Sequence, residues 1–223
     1  MTTFGLIMFD LDGTLIETAP EICDAVNDTL RQFDLPEVQV AQVSHWIGQG
    51  TRELLVQALA SSLETNVESV RASDTFNAIA AAFDQHYQSR CGTRSHLYPQ
   101  VRETLLALRK RGVKLAVVTN KESRFTQTVL KVHQLTLLLD LVVSGDSLPT
   151  KKPDPAGIES CLSLFDMPRS RALMVGDSSI DVATARNADV TVWAVPYGYN
   201  MGQPIEACAP DRVIADCSLL LNL

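Results

Sequence analysis

Long apolar runs, paired cysteines and an excess of basic residues are all missing from this chain of 223 residues. No stretch approaches the roughly 18 consecutive apolar residues that a membrane-spanning helix needs, which argues against an integral membrane protein. The apolar run from Phe4 to Phe9 is only strand-length and has no basic flank, so it does not read as a secretion signal. Cys23, Cys91, Cys161, Cys208 and Cys217 are odd in number and form no C-x-x-C pair. They read as idle thiols in a reducing compartment, and the expected location is cytoplasmic. Nineteen Lys plus Arg face 26 Asp plus Glu, a net charge of −7. That is the wrong sign for general nucleic-acid binding, which rests on a basic surface. His45, His86, His96 and His133 lack any paired metal spacing. Repeats and low-complexity tracts are absent too.

What the chain does have is core material, with 46% hydrophobic and 20% charged residues. Phe4 to Phe9, Lys114 to Val118, Leu141 to Val143, Ala172 to Val175 and Val190 to Val195 read as buried parallel strands. Helical stripes lie between the later ones: Val101, Leu105 and Leu108 before Gly112, then Phe125, Val129 and Val132, then Ile158, Leu162 and Phe165. Strands alternating with helices predict an α/β fold, a Rossmann-like three-layer parallel sheet core built from right-handed crossovers. From about Ile16 to Arg94 the texture is purely helical. Thr18 and Glu21 are spaced as a capping box, followed by the stripe Ile22, Val26, Leu30 and Phe33. Leu54, Leu55, Ala58 and Leu59 mark a second helix, and Phe76, Ile79, Phe83 and Tyr87 a third. The expected organisation is a core over residues 1–15 and 95–223 with an inserted α-helical cap over 16–94. Leu15 to Thr18 and Cys91 to Pro99 would be the linkers.

The chemistry concentrates at strand ends, where open α/β sheets place their sites. The first strand runs into Asp10-Leu11-Asp12-Gly13-Thr14, and the fourth into Gly176-Asp177-Ser178-Ser179-Ile180-Asp181. Close carboxylates repel and require a cation or a shared proton. An all-oxygen set without histidine favours Mg²⁺. Thr119-Asn120 follows the second strand, and Lys151-Lys152-Pro153 follows the third. A cation, an ammonium and hydroxyl donors converging on one edge form the surroundings a transferring phosphoryl group needs. Taken singly, each segment also reads as a turn, a helix N-cap or a solvated loop.

In order and spacing, the four segments resemble the motifs of the haloacid dehalogenase superfamily of phosphohydrolases, across essentially the whole chain. The insert resembles that superfamily's C1 helical cap. Trp46 to Gly50 and Pro196 to Asn200 resemble segments of bacterial phosphoglycolate phosphatases. The resemblance implies that Asp10 is the nucleophile, forming an aspartyl-phosphate, and that Asp12 is the general acid and base. It also implies phosphate binding by Thr119, Asn120 and Lys152. Mg²⁺ would be held by Asp10, Asp12 (through its carbonyl) and Asp177, with Asp181 in support. Lys152 is preferred over Lys151 because it stands immediately before proline. An acid two residues past the nucleophile sets the chain apart from the dehalogenases, which the resemblance implies lack it.

The cap is expected to choose the substrate. Gly48, Gln49, Gly50, Thr51 and Arg52 precede a helix, and free N–H groups with Arg52 would suit a second anion such as a carboxylate. Equally, Gly50 and Thr51 merely start the helix and Arg52 faces water. Lys121 is another candidate cation for the pocket. The implied activity is Mg²⁺-dependent hydrolysis of a small phosphate monoester, foremost 2-phosphoglycolate. A sugar phosphate such as N-acetylmuramate 6-phosphate, a nucleotide, pyrophosphate or a β-phosphoglucomutase-like transfer remain alternatives, and a non-catalytic binding protein is a remote one. The partner expected is a small molecule, with no nucleic acid or membrane, and the chain itself a monomer or homodimer.

Overall fold

The computed structural model describes residues 4–223, so the first three residues of the expected core segment lie outside it. Its centre is a parallel sheet of β1 (Leu6–Phe9), β4 (Lys114–Val118), β5 (Leu141–Val143), β6 (Ala172–Gly176), β7 (Thr191–Ala194) and β8 (Arg212–Val213). Their spatial order is β5-β4-β1-β6-β7-β8. β1 is central, pairing Leu6 with both Lys114 and Ala172 and Phe9 with both Val117 and Val175. With neighbours on either side, its whole length is buried, which is why its sequence is continuously apolar.

Alternation along these strands feeds two cores. Ile7, Phe9, Leu115, Val117 and Val175 face α6 (Val101–Lys110) and α7 (Ser123–Val132). Leu6, Met8, Ala116, Val118 and Met174 face α8 (Ala156–Leu164) and α9 (Ser179–Asn187). Local chemistry agrees with these helices. Glu103 opens α6 and Arg109 and Lys110 close it, each matching the helix dipole, and Gly112 follows at φ 78°.

Between the first strand and α6 the chain leaves the sheet through β2 (Ile16–Glu17) and returns through β3 (His96–Leu97). These two linkers pair antiparallel, Ile16 with Leu97 and Glu17 with His96. Between them lie α1 (Ala19–Gln32), α2 (Val40–Ser44), α3 (Thr51–Ser62), α4 (Val67–Arg71) and α5 (Phe76–Arg90). The expected stripes of α1, α3 and α5 are the buried ones, with Phe33 half-buried just past α1. Among the described residues no helix is long and apolar enough to cross a membrane.

Two sequence expectations are corrected here. Val132 ends α7 half exposed, and Leu130 takes the buried place beside Phe125 and Val129. The Thr18–Glu21 capping box does not form, because both side chains have longer-range partners. Thr18 Oγ1 donates to Asp12 Oδ1 at 2.8 Å. Glu21 Oε2 accepts from the N–H groups of Gly92, Arg94 and Ser95 at 2.9, 3.3 and 2.9 Å, binding the return linker to the start of α1. The two-residue strands β2, β3 and β8 and the one-turn helices α2 and α4 went unread, because they carry neither a continuous apolar run nor enough residues to show a period.

Candidate active site

The carboxyl ends of β1, β4 and β6 meet at one edge of the sheet. Asp10 follows β1 directly, its N–H bonded to Val175 O at 2.9 Å. Asp177 follows β6, and Thr119 follows β4 with its N–H on Val143 O at 2.9 Å. Asp10, Asp177 and Asp181 are all buried, and one oxygen of each lies within 4.8 Å of the others. Lys152, also buried, places Nζ 2.7 Å from Asp10 Oδ1 and 2.6 Å from Asp181 Oδ1.

Each acid is held differently. Asp177 accepts from Thr14 Oγ1 at 2.6 Å on one oxygen and from the Tyr199 N–H at 2.5 Å on the other. Asp181 spends Oδ2 on Ser178 Oγ at 2.7 Å and on the N–H groups of Asp177 and Ser178. It thereby closes the capping box at the start of α9, whose other half is the Asp181 N–H on the Ser178 hydroxyl. Asp10 Oδ1 is buried without a hydrogen bond of good geometry, the Lys152 contact being an ion pair only.

Three carboxylates and one ammonium leave two surplus negative charges out of water. Burial pushes the Asp10 carboxyl up to about 6, Lys152 opposing and Asp181 adding to the rise. Burial first, then Asp181 and Asp10, push Asp177 well above the usual carboxylate range. Burial alone would discharge Lys152, but Asp10 and Asp181 outweigh it and hold the ammonium above its ordinary value. A divalent cation matches the surplus charge, the oxygen-only donors and the Asp10 oxygen that has an ion pair but no hydrogen bond, so this pocket fits Mg²⁺.

Asp12 sits beside this group and faces away from it. Its carboxylate takes Lys121 Nζ at 3.0 and 3.1 Å as well as the Thr18 hydroxyl. Burial works against the Lys121 charge, yet the Asp12 carboxylate raises it above the usual lysine range. A cavity of about 30 Å³ opens above these residues, with Asp10, Asp12, Thr119 and Lys121 in its floor. Its roof is Ile22, Ile47 and Leu54 from the helical insert, together with Gly48, Gly50 and Thr51.

Residues 7–195 match the family model described as haloacid dehalogenase-like hydrolase. The chain belongs to that family. It is 39% identical to the phosphoglycolate phosphatase of Vibrio cholerae over all of this chain and 98% of the relative. It is 38% identical to that of Pseudomonas putida over 97% of this chain and 78% of the relative. The crystal structure of a predicted phosphoglycolate phosphatase from Haemophilus somnus superposes with a TM-score of 0.91 at 34% identity, covering 100% of this chain and 98% of the other.

Within this hydrolase the sequence-expected residues are partly assembled and partly dispersed. Asp10, Asp12, Thr119, Lys152, Asp177 and Asp181 converge. Lys151 does not, since it is exposed and donates to Gln49 O at 2.6 Å. Asn120 lines the cavity, but its amide protons go to Gly48 O at 2.9 Å and Lys152 O at 3.0 Å. Its side chain thus braces the insert against the lysine loop and has no proton left for phosphate. Of the expected specificity segment, Gly48, Gly50 and Thr51 reach the cavity, whereas Gln49 and Arg52 point to solvent. Arg52 lies over the Phe76 ring at 4.7 Å and donates to Asn77, which gives its guanidinium a cation–π partner outside the pocket.

Trp46 packs on the insert. Tyr197 and Tyr199 form a wall behind the site, their hydroxyls on Thr14 O at 3.0 Å and on the N–H groups of Thr18 and Ala19 at 3.0 Å. The sequence reading missed Thr14, Ser178 and Tyr87. Thr14 adjoins the first acidic pair, and Ser178 stands three before Asp181, a legible capping spacing. Tyr87 looked like one more apolar stripe residue, because nothing local marks its hydroxyl.

Proposed function

We propose that this hydrolase is a Mg²⁺-dependent phosphatase whose substrate is 2-phosphoglycolate, released as glycolate and phosphate. The observation that carries the chemistry is the buried group of Asp10, Asp177, Asp181 and Lys152 with its two surplus negative charges at the ends of β1 and β6. Asp10 and Asp177, with the Asp12 carbonyl, would hold Mg²⁺, which when bound neutralises charge on the transferring phosphoryl group. Asp181 supports the shell by orienting Lys152 and the turn that carries Asp177.

Asp10 attacks phosphorus, and the ester P–O bond breaks as the aspartyl-phosphate forms. Lys152 and the Thr119 hydroxyl, whose proton no other residue claims, hold the phosphoryl oxygens. Asp12 gives a proton to the departing alkoxide, then takes one from the water that releases phosphate and regenerates Asp10. Residues 16–94 act as a cap over this core, and the apolar roof of Ile22, Ile47 and Leu54 keeps bulk water from the intermediate.

The resemblance of Trp46 to Gly50 and of Pro196 to Asn200 to segments of phosphoglycolate phosphatases supports this substrate. The named relatives point the same way, being phosphoglycolate phosphatases. We place the enzyme in the cytoplasm, acting on a free metabolite. Phosphate release from 2-phosphoglycolate, N-acetylmuramate 6-phosphate, hexose phosphates, nucleotides and pyrophosphate, with Mg²⁺ or EDTA, tests the reading. 2-Phosphoglycolate is expected to lead by about 100-fold in kcat/KM, or about 2.7 kcal/mol of discrimination, and Asp10→Asn to abolish release. Leadership by another ester would replace the substrate and keep the chemistry.

A further inference from the structure

Lys121 is a buried cation that the chemistry above leaves without a task. An ammonium has three protons to donate. In Lys121 they meet the two oxygens of Asp12, at 3.0 and 3.1 Å, and the hydroxyl of Tyr87. No proton is left over for a ligand, although Lys121 lies in the cavity floor. Tyr87 comes from α5, near the return linker, and its ring is wedged between Phe83 of the insert and Phe125 of α7, with centroids at 5.7 and 4.3 Å. On the opposite side Thr18, in the outgoing linker, donates to Asp12 at 2.8 Å. Asp12 is therefore gripped from both ends of the helical insert, directly by Thr18 and through Lys121 by Tyr87.

We propose that Lys121 is a positioning residue: braced by Tyr87, it fixes the Asp12 carboxyl where the leaving-group oxygen and the hydrolytic water pass their protons. This rests on the phosphatase reading and on Asp12 as its acid and base. In the first step the Asp10–phosphorus bond forms, the ester P–O bond breaks, and the electron pair left on the ester oxygen takes the Asp12 proton. An alkoxide cannot leave without that proton, whereas p-nitrophenolate can. In the second step both esters give the same aspartyl-phosphate, and Asp12 must accept the proton of water.

A misplaced Asp12 thus has a distinctive kinetic signature. Lys121→Met is expected to lower kcat on 2-phosphoglycolate by about 30- to 300-fold, with KM within about threefold. On p-nitrophenyl phosphate it should retain a fast first turnover and slow the second step, so that a burst of phenolate precedes a reduced steady rate. Tyr87→Phe should show the same pattern at about 3- to 10-fold, and Lys121→Arg should recover part of the loss. Asp12→Asn supplies the pattern for complete loss of the acid.

Equal losses in the burst and in alkyl-ester turnover would overturn the proposal, since a damaged fold slows both steps alike. A rise in KM alone would overturn it by making Lys121 a substrate contact, and unchanged kinetics in both variants would overturn it outright. Tyr87→Phe removes one oxygen and keeps the ring packing, so it decides the matter if Lys121→Met does not fold. No phosphate release by the wild type from either ester would overturn the phosphatase reading and this role together, a failure visible in the wild-type trace alone.

Discussion

At the scale of single residues, the site is a place where burial and charge are set against each other. Asp10 and Asp177 are carboxylates kept out of water with too little compensating charge, and both titrate above their unfolded values. Between about pH 4 and 6 the unfolded chain gives up the Asp10 proton before the folded one does, so the folded metal-free protein loses stability as pH rises through that window. The metal-free protein is therefore expected to melt higher near pH 5 than near pH 7, as far as these groups are concerned. Mg²⁺ at about 100 times its Kd should add about 2.7 kcal/mol at neutral pH, or roughly 5–10 °C in Tm. Asp177→Asn should raise the metal-free Tm and abolish the response to Mg²⁺. Thermal scans at the two pH values, with EDTA and with Mg²⁺, check all of these, and a Tm indifferent to Mg²⁺ would remove the metal assignment.

At the scale of elements, short segments align the functional groups. The loop after β7 passes so close to the end of β6 that a Cβ on Gly198 would stand 2.3 Å from both the Cβ and Oδ2 of Asp177. Backbone cannot yield that much without moving the carboxylate. Gly198→Ala is expected to lower phosphate release by about 100-fold, the usual effect of a displacement near 1 Å at a reacting centre, and to weaken the Mg²⁺-dependent rise in Tm. A second device joins the linkers, where Glu21 receives three N–H groups from the return strand. Glu21→Ala takes the shared acceptor from three N–H groups that water reaches in part, at a cost of about 1–2 kcal/mol and roughly 2–8 °C in Tm. Glu21→Gln keeps an acceptor and should recover most of the loss. Calorimetry on the two variants separates the hydrogen bonds from the packing of α1. The sequence showed Glu21 only as a helix-start residue, because its true partners lie some seventy positions further on.

At the scale of the whole molecule, two short antiparallel linkers join a helical body to a sheet edge, and the cavity lies where they face each other. The apolar roof comes from the insert and the charged floor from the core, and we propose that substrate enters when the two separate. We expect solution scattering to show a more compact particle with Mg²⁺ and a metal-fluoride mimic of the phosphoryl group than with EDTA. Identical dimensions in the two states would argue against hinge closure.

Much of this protein is determined by sequence alone, for reasons of local physics. A continuous apolar strand ending in Asp-x-Asp-Gly-Thr reads as a buried parallel strand delivering carboxylates to a sheet edge, and β1 is such a strand. Four strand ends in order carry the resemblance that proposes Asp10, Asp12, Thr119, Lys152 and Asp177 as the site, and the structure brings these residues to one edge of the sheet. The three long stripes of the insert follow from the same local physics, whereas the preference for Lys152 over Lys151 comes from the resemblance alone, through the proline that follows it. Only the tertiary structure decided which polar groups meet across long separations. Thr18 and Glu21 left their expected capping box for Asp12 and the return linker, Arg52 turned to Phe76, and Asn120 spent its amide on two carbonyls. Tyr87 and Lys121, 34 positions apart, came together, and Lys121 alone of the two bonds Asp12. Periodicity reports which side of an element is buried, whereas a hydrogen bond depends on where two elements cross, and that is settled only when the core has packed.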